Sequence, residues 1–163
     1  MDLSWVSPQL AVGGRFEMDE AEQLLRSHDI ARVVDLRSEC CDDEEVLRTH
    51  GVTLLSLPTE DCCAVSQKML DEGVRWVREQ LARGHRVYLH CEHGIGRSVL
   101  LCLCVLVTLG FDPVDALAHV KRARRKASPS PDQLEAFRTW VARRAQRFAV
   151  PSLDALCRIA WAA

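Results

Sequence analysis

The chain has 163 residues, 48% of them hydrophobic and 27% charged, which is enough to bury a core and too apolar for disorder. A formal net charge of −2 supplies no overall basic field, so no nucleic-acid partner is expected. No apolar run reaches the ~18–20 residues of a bilayer span, so no membrane insertion is expected. The opening Met1-Asp2-Leu3-Ser4-Trp5 lacks the basic and apolar regions of a secretory signal, so the expected location is cytoplasmic.

In chain order, Leu10–Gly14 reads as a short strand and Met18–Ser27 as a helix with its apolar face at Ala21, Leu24 and Leu25. Ala31–Leu36 is a strand, Asp42–His50 a short helix stopped by Gly51, and Val52–Leu57 a strand ended by Pro58. Ser66 caps a long helix to Arg83 with a stripe of Leu70, Val74, Val77 and Leu81. Arg86–His90 is a β-branched and aromatic strand. Ser98–Leu109, apolar on nearly every face, is the expected central helix. Asp112-Pro113 starts a helix to about Lys126. Ser128-Pro-Ser-Pro131 is a rigid loop, Asp132–Phe148 another helix, and Pro151-Ser152 opens a last amphipathic one to about Trp161. The expected fold class is α/β: a central, mostly parallel sheet flanked by helices, with a helical C-terminal half. One domain over 1–150 is expected, with 151–163 a helical extension packed on it.

The eight cysteines (40, 41, 62, 63, 91, 102, 104, 157) lack the spacing of a zinc site, and a chain this apolar needs no disulfide framework. Reduced and mostly buried thiols are expected, with no metal. Only Cys91 has an Arg six places on. It stands in Val87-Tyr-Leu-His-Cys-Glu-His-Gly-Ile-Gly-Arg-Ser98, where a buried strand ends, a two-glycine loop follows, and a helix begins. Loop N–H groups and a helix N-terminus form an anion site there. The same field favours a thiolate at Cys91. The planar fork of Arg97 suits two oxygens of a phosphate.

His90-Cys91-x5-Arg97-Ser98 resembles the signature of the cysteine-dependent protein tyrosine phosphatase superfamily. Its Gly-x-Gly-Arg-Ser form is similar to that of the small dual-specificity phosphatases, and the likeness runs from about residue 5 to 148. The resemblance implies a metal-independent phosphatase with no cofactor and a phosphocysteine intermediate. Its substrate would be a phosphate monoester, phosphotyrosine or phosphoserine/threonine on protein. Cys91 would be the nucleophile. Arg97 and the loop Glu92, His93, Gly94, Ile95 and Gly96 would bind the phosphate oxygens, and Ser98 would ease departure of the sulfur. His90 would order the loop, or simply satisfy a buried strand end. The general acid would be Asp61, thirty residues before Cys91 in Leu57-Pro-Thr-Glu-Asp61, with Glu60 as rival. Gln133 is a candidate for ordering the attacking water.

Several features depart from the signature. His93 makes the loop start similar to that of RNA 5′-triphosphatases, but Gly96 stands where those carry Asn. Glu92 and the absence of loop lysines argue against 3-phosphoinositides. A phospholipid, inositol phosphate or RNA 5′ end stays an alternative substrate, and a non-catalytic phosphate-binding module or a rhodanese-type sulfurtransferase an alternative function. Cys40, Cys41, Cys62 and Cys63 are inert, or redox partners of Cys91. Lys121-Arg122-x-Arg124-Arg125-Lys126 is a solvated helix end or a positive rim for the pocket. Asp35 and Arg37 are expected to brace loops near it.

Overall fold

The computed structural model describes all 163 residues. Five strands form one sheet: β1 (Leu3–Trp5), β2 (Leu10–Gly13), β3 (Ile30–Arg37), β4 (Thr53–Thr59) and β5 (Arg86–His90). Their order is β1-β2-β5-β3-β4, antiparallel only at β1–β2. The helices are α1 (Ala21–His28), α2 (Glu44–Thr49), α3 (Gln67–Ala82), α4 (Arg97–Thr108), α5 (Pro113–Ala123), α6 (Pro131–Arg144) and α7 (Leu153–Ala160). The architecture is thus the α/β arrangement the sequence predicts.

Alternation along the strands divides the core in two. Val87 and Leu89 of β5, with Leu10 and Val12 of β2, face a large cluster built around α4. Tyr88 and Ala11 face a smaller one with Phe16, Leu24 and Leu47, covered by α1 and α2. Every residue of α4 from Arg97 to Val107 is buried, so this helix is central, as its all-round apolarity predicts. β5 ends at His90, and Cys91, the next residue, packs in the large core.

Most boundaries shift by one to three residues, and four of the differences from expectation have identifiable reasons. β1 is too short to show periodicity, and forms because Leu3–Trp5 pairs with Ala11–Gly13. β4 runs through Pro58 to Thr59 rather than stopping at Leu57, which is permitted because β4 is a sheet edge. α5 ends at Ala123, not Lys126, because Arg124 leaves the helix in an extended conformation and turns its side chain inward. α6 ends at Arg144, not Phe148; the chain breaks at Ala145, and Phe148 packs back on the large core. α7 lies against α5 and α6, with Leu156 and Ala160 buried. No helix is long and apolar enough to cross a membrane.

Candidate active site

The C-terminal ends of β3, β4 and β5 converge on the loop after His90, the usual location of a site in an open parallel sheet. Cys91 is buried, with its Sγ 3.3 Å from Ser98 Oγ. Gly96 is the N-cap of α4 and offers no side-chain cap, so the first N–H groups of that helix are open to an anion. Glycine is required at 94, while a side chain at 96 would displace the Gln133 amide. Gly94 has φ +64, and a Cβ on it would stand 2.3 Å from the Gly13 carbonyl carbon. A Cβ on Gly96 would meet Gln133 Oε1 at 2.3 Å. Of the expected phosphate-binding run Glu92, His93, Gly94, Ile95, Gly96 and Arg97, the structure brings His93, Ile95, Gly96 and Arg97 to one pocket with Cys91, while Glu92 and Gly94 do not line it.

Arg97 is held by its neighbours. Nη1 donates to Glu39 Oε1 at 2.6 Å and to the Thr59 carbonyl at 2.7 Å, and Nη2 donates to Glu39 Oε2 at 2.8 Å. Nη2 also lies 3.0 Å from Asp61 Oδ1. Its buried Nε–H has no partner in the protein. A buried donor beside a thiol, on a guanidinium fixed from behind, suits an incoming oxyanion. Glu39, on the loop after β3, carries no sequence signal of its role, because its partner lies 58 residues away.

The Arg97 hydrogen bonds hold the Glu39 carboxyl at about 2, from an ordinary 4.5. A depressed carboxyl contributes stability above its unfolded value and loses it as pH falls. The stability gap between wild type and Glu39→Gln is thus expected to be constant above pH 4.5 and to close as pH falls from there through about 2. Thermal melts across that range check it. Activity of Glu39→Gln at neutral pH should fall about tenfold, as a charge-assisted anchor is lost.

A second layer fixes the strand ends. His90 Nε2 donates to Asp42 Oδ2 at 2.6 Å, and its Nδ1 lies 3.3 Å from the Cys91 carbonyl oxygen. Arg37 donates from Nε and Nη2 to Asp35, from Nη2 to Asp42, and from Nη1 to Glu92. Asp35 and Arg37 thus brace the loop as expected, and Asp42 joins them. Asp35, Asp42 and His90 bring ligand-type atoms within 4.8 Å of one another. Arg37 already bridges both carboxylates of that cluster, so its arrangement is that of a buried ion network.

The basic run does not form a positive rim. Arg124 is buried and donates to the carbonyls of Gly94 (2.6 Å) and His93 (2.9 Å) and to both Asp2 oxygens (3.0 and 2.7 Å). Lys126 also binds Asp2, and Lys121 donates to the Ala127 and Ala160 carbonyls. Arg124 hydrogen bonds, with help from Lys126, hold the Asp2 carboxyl at about 2. The run is mainly a clamp behind the loop, and only Arg122 and Arg125 are exposed without such contacts.

A pocket of about 140 Å³ lies over Cys91, lined among others by Asp61, Cys62, Arg97, Ser130 and Gln133. Asp61 is exposed on the loop after β4 and its Oδ1 accepts from Cys62 N. Gln133 lines the pocket, but its amide is engaged: Oε1 accepts from Ser130 N at 2.8 Å and Nε2 donates to the Cys63 carbonyl at 3.1 Å. All eight cysteines are free, but only Cys91, Cys102 and Cys104 are buried, against the expectation of mostly buried thiols, because Cys40, Cys41, Cys62 and Cys63 lie on surface loops. Of the four redox candidates only Cys62 lines the pocket; Cys40, Cys41 and Cys63 are exposed outside it. Burial pushes the Cys102 thiol up to about 12 and Cys104 well above the usual range, so both are inert.

A family model described as "PTP-SAK: Swiss Army Knife protein, DSP-PTPase phosphatase domain" matches residues 1–151. Among solved structures, Tk-PTP in its active form is 27% identical, with a TM-score of 0.81 over 87% of this chain and 97% of that one. PTPMT1 is 22% identical, with a TM-score of 0.81 over 89% and 97%. Human DUSP28 in a variant form is 24% identical, with a TM-score of 0.73 over 90% and 99%. No match to a curated protein sequence was found.

Proposed function

The chain belongs to the PTP-SAK family of dual-specificity-type phosphatase domains within the cysteine-dependent protein tyrosine phosphatase superfamily, and on that premise we propose that it hydrolyses phosphate monoesters through a phosphocysteine on Cys91. The Cys91 sulfur, 3.3 Å from Ser98 Oγ in a loop closed by Arg97, carries this reading.

The Cys91 thiolate attacks phosphorus while the bond to the leaving oxygen breaks. Asp61 gives that oxygen its proton. The loop N–H groups and the Arg97 Nε–H, the one guanidinium hydrogen left without a partner, hold the equatorial oxygens and offset their charge. In the second half Asp61, now a carboxylate, takes a proton from water. The water oxygen bonds to phosphorus, the S–P bond breaks, and Ser98 donates to the departing sulfur. No metal enters these steps.

The substrate we propose is phosphotyrosine and phosphoserine/threonine on protein. The loop has Glu92 and no lysine to meet further phosphates, which supports a singly phosphorylated group. An inositol monoester is the second reading, because PTPMT1 has been solved in complex with PI(5)P on the same fold, at 20% identity and a TM-score of 0.82. The test is hydrolysis of para-nitrophenyl phosphate in EDTA and reductant, followed by phosphotyrosine, phosphoserine and phosphothreonine peptides beside PI(5)P vesicles. Hydrolysis abolished by Cys91→Ser, with peptides turned over faster than the vesicles, is the expected result. Turnover that survives Cys91→Ser, or a silent wild type, overturns the reading.

A further inference from the structure

The rigid Ser128-Pro-Ser-Pro131 loop touches both catalytic loops. On one side, Ser128 N donates to the Ile95 carbonyl at 2.9 Å, and the Gln133 amide lies against Gly96. On the other, Ser130 Oγ donates to the Cys62 carbonyl at 3.3 Å and Gln133 Nε2 to the Cys63 carbonyl. These are the two residues that follow Asp61. Cys62 has φ +63, a left-handed conformation unfavourable for a residue with a Cβ, so the segment needs outside contacts to stay in place. The bridging loop is itself anchored. Trp161 Nε1, beyond the matched family region, donates to the Pro129 carbonyl at 3.2 Å, and Lys121 ties Ala127 to the end of α7.

We infer that this loop is a latch, with Ser130 and Gln133 as positioning residues that hold the Asp61 loop over the phosphate loop, and with α7 stiffening the latch from behind. The inference rests on the reading of Asp61 as general acid. Proline on each side of Ser130 limits the backbone, so the hydroxyl is presented in one place. The same hydroxyl accepts from Gln133 N as the N-cap of α6. It therefore ties the start of a rigid helix to the loop that carries the acid.

Ser130→Gly tests the hydroxyl while nearly sparing the cap, since Gly is among the better N-cap residues. Ser130→Thr keeps both donor and acceptor. Each is made in the wild type and in Asp61→Asn, and each is assayed on phenyl phosphate, whose leaving oxygen needs a proton, and on an aryl phosphate with a strongly acidic phenol, which does not. We expect Ser130→Gly to lower kcat on phenyl phosphate about tenfold, the size of one lost positioning hydrogen bond. The acidic phenol should be affected far less, Ser130→Thr should match wild type, and Ser130→Gly should add nothing in Asp61→Asn. Equal losses on both substrates, or the same loss in both backgrounds, would overturn the latch while leaving the catalytic reading intact. If Asp61→Asn alone changes neither substrate, or lowers both equally, the acid assignment fails and the latch with it; that single variant distinguishes the two failures.

Discussion

Arg97→Lys should lower kcat/KM on aryl phosphates by about a thousandfold, the upper end of what one lost oxyanion donor costs. The reason is geometric. Arg97 uses Nη1 and Nη2 to grip Glu39 and the Thr59 carbonyl, and this leaves the buried Nε–H free for substrate. A lysine ammonium is one point charge and cannot face both ways. If it stays with Glu39 it abandons the pocket, and if it turns to phosphate it leaves the Thr59 carbonyl and Glu39 unpaired. Steady-state kinetics beside a thermal melt separates the two. The expected result is a folded protein with most of the loss in kcat. A variant within tenfold of wild type would mean that Arg97 serves the fold rather than the reaction.

Asp61→Asn should cost between about 10² and 10⁴ in kcat when the leaving group is an alkoxide or unactivated phenoxide. The substitution keeps the size and a hydrogen-bonding oxygen for Cys62 N, so loop geometry is preserved. It removes the proton that the leaving oxygen needs. The loss should shrink steadily as the phenol becomes more acidic, and a plot of log kcat against leaving-group acidity measures it. A uniform loss across the series would mean that the carboxylate acts through its 3.0 Å contact with Arg97 instead.

The two predictions draw on parts of the site that were unequally legible in the sequence. Strand, loop and helix from Val87 to Ser98 form one continuous segment, so local rules place Cys91, Arg97 and Ser98 together, and the structure does the same. Asp61 is legible by its position after a strand, once the Cys91 motif is in view. Glu39, Asp42 and Arg124 are not. Each acts on a partner distant in sequence: Glu39 on Arg97 58 residues on, Arg124 on Asp2 122 residues back. No periodicity encodes such contacts.

Arg124 shows how a surface pattern misleads. Five basic residues in six read as a solvated helix end, yet the helix stops at Ala123 and Arg124 is buried against the carbonyls of the phosphate loop. What reads as a surface feature is thus a clamp that grips the Gly94 and His93 carbonyls behind the loop. Gln133 makes the complementary point. The sequence places it near the site, but its partners, Ser130 N and the Cys63 carbonyl, depend on a loop–loop approach that only the tertiary fold supplies. The fold boundaries follow the same rule, since β4 crosses Pro58 only because it lies at a sheet edge.

The central claim is a phosphoryl group carried on sulfur, and the most direct measurement looks for it there. Ser98→Ala removes the hydroxyl 3.3 Å from Cys91 Sγ and should slow breakdown of the intermediate more than its formation. The variant is mixed with an excess of aryl phosphate in EDTA, quenched into denaturant near neutral pH, and its peptides are analysed by mass spectrometry. A phosphoryl group on the Cys91 peptide, approaching one per protein and absent from Cys91→Ser, is the predicted result. Steady release of phosphate by Ser98→Ala with no phosphoryl group on Cys91 would contradict the account.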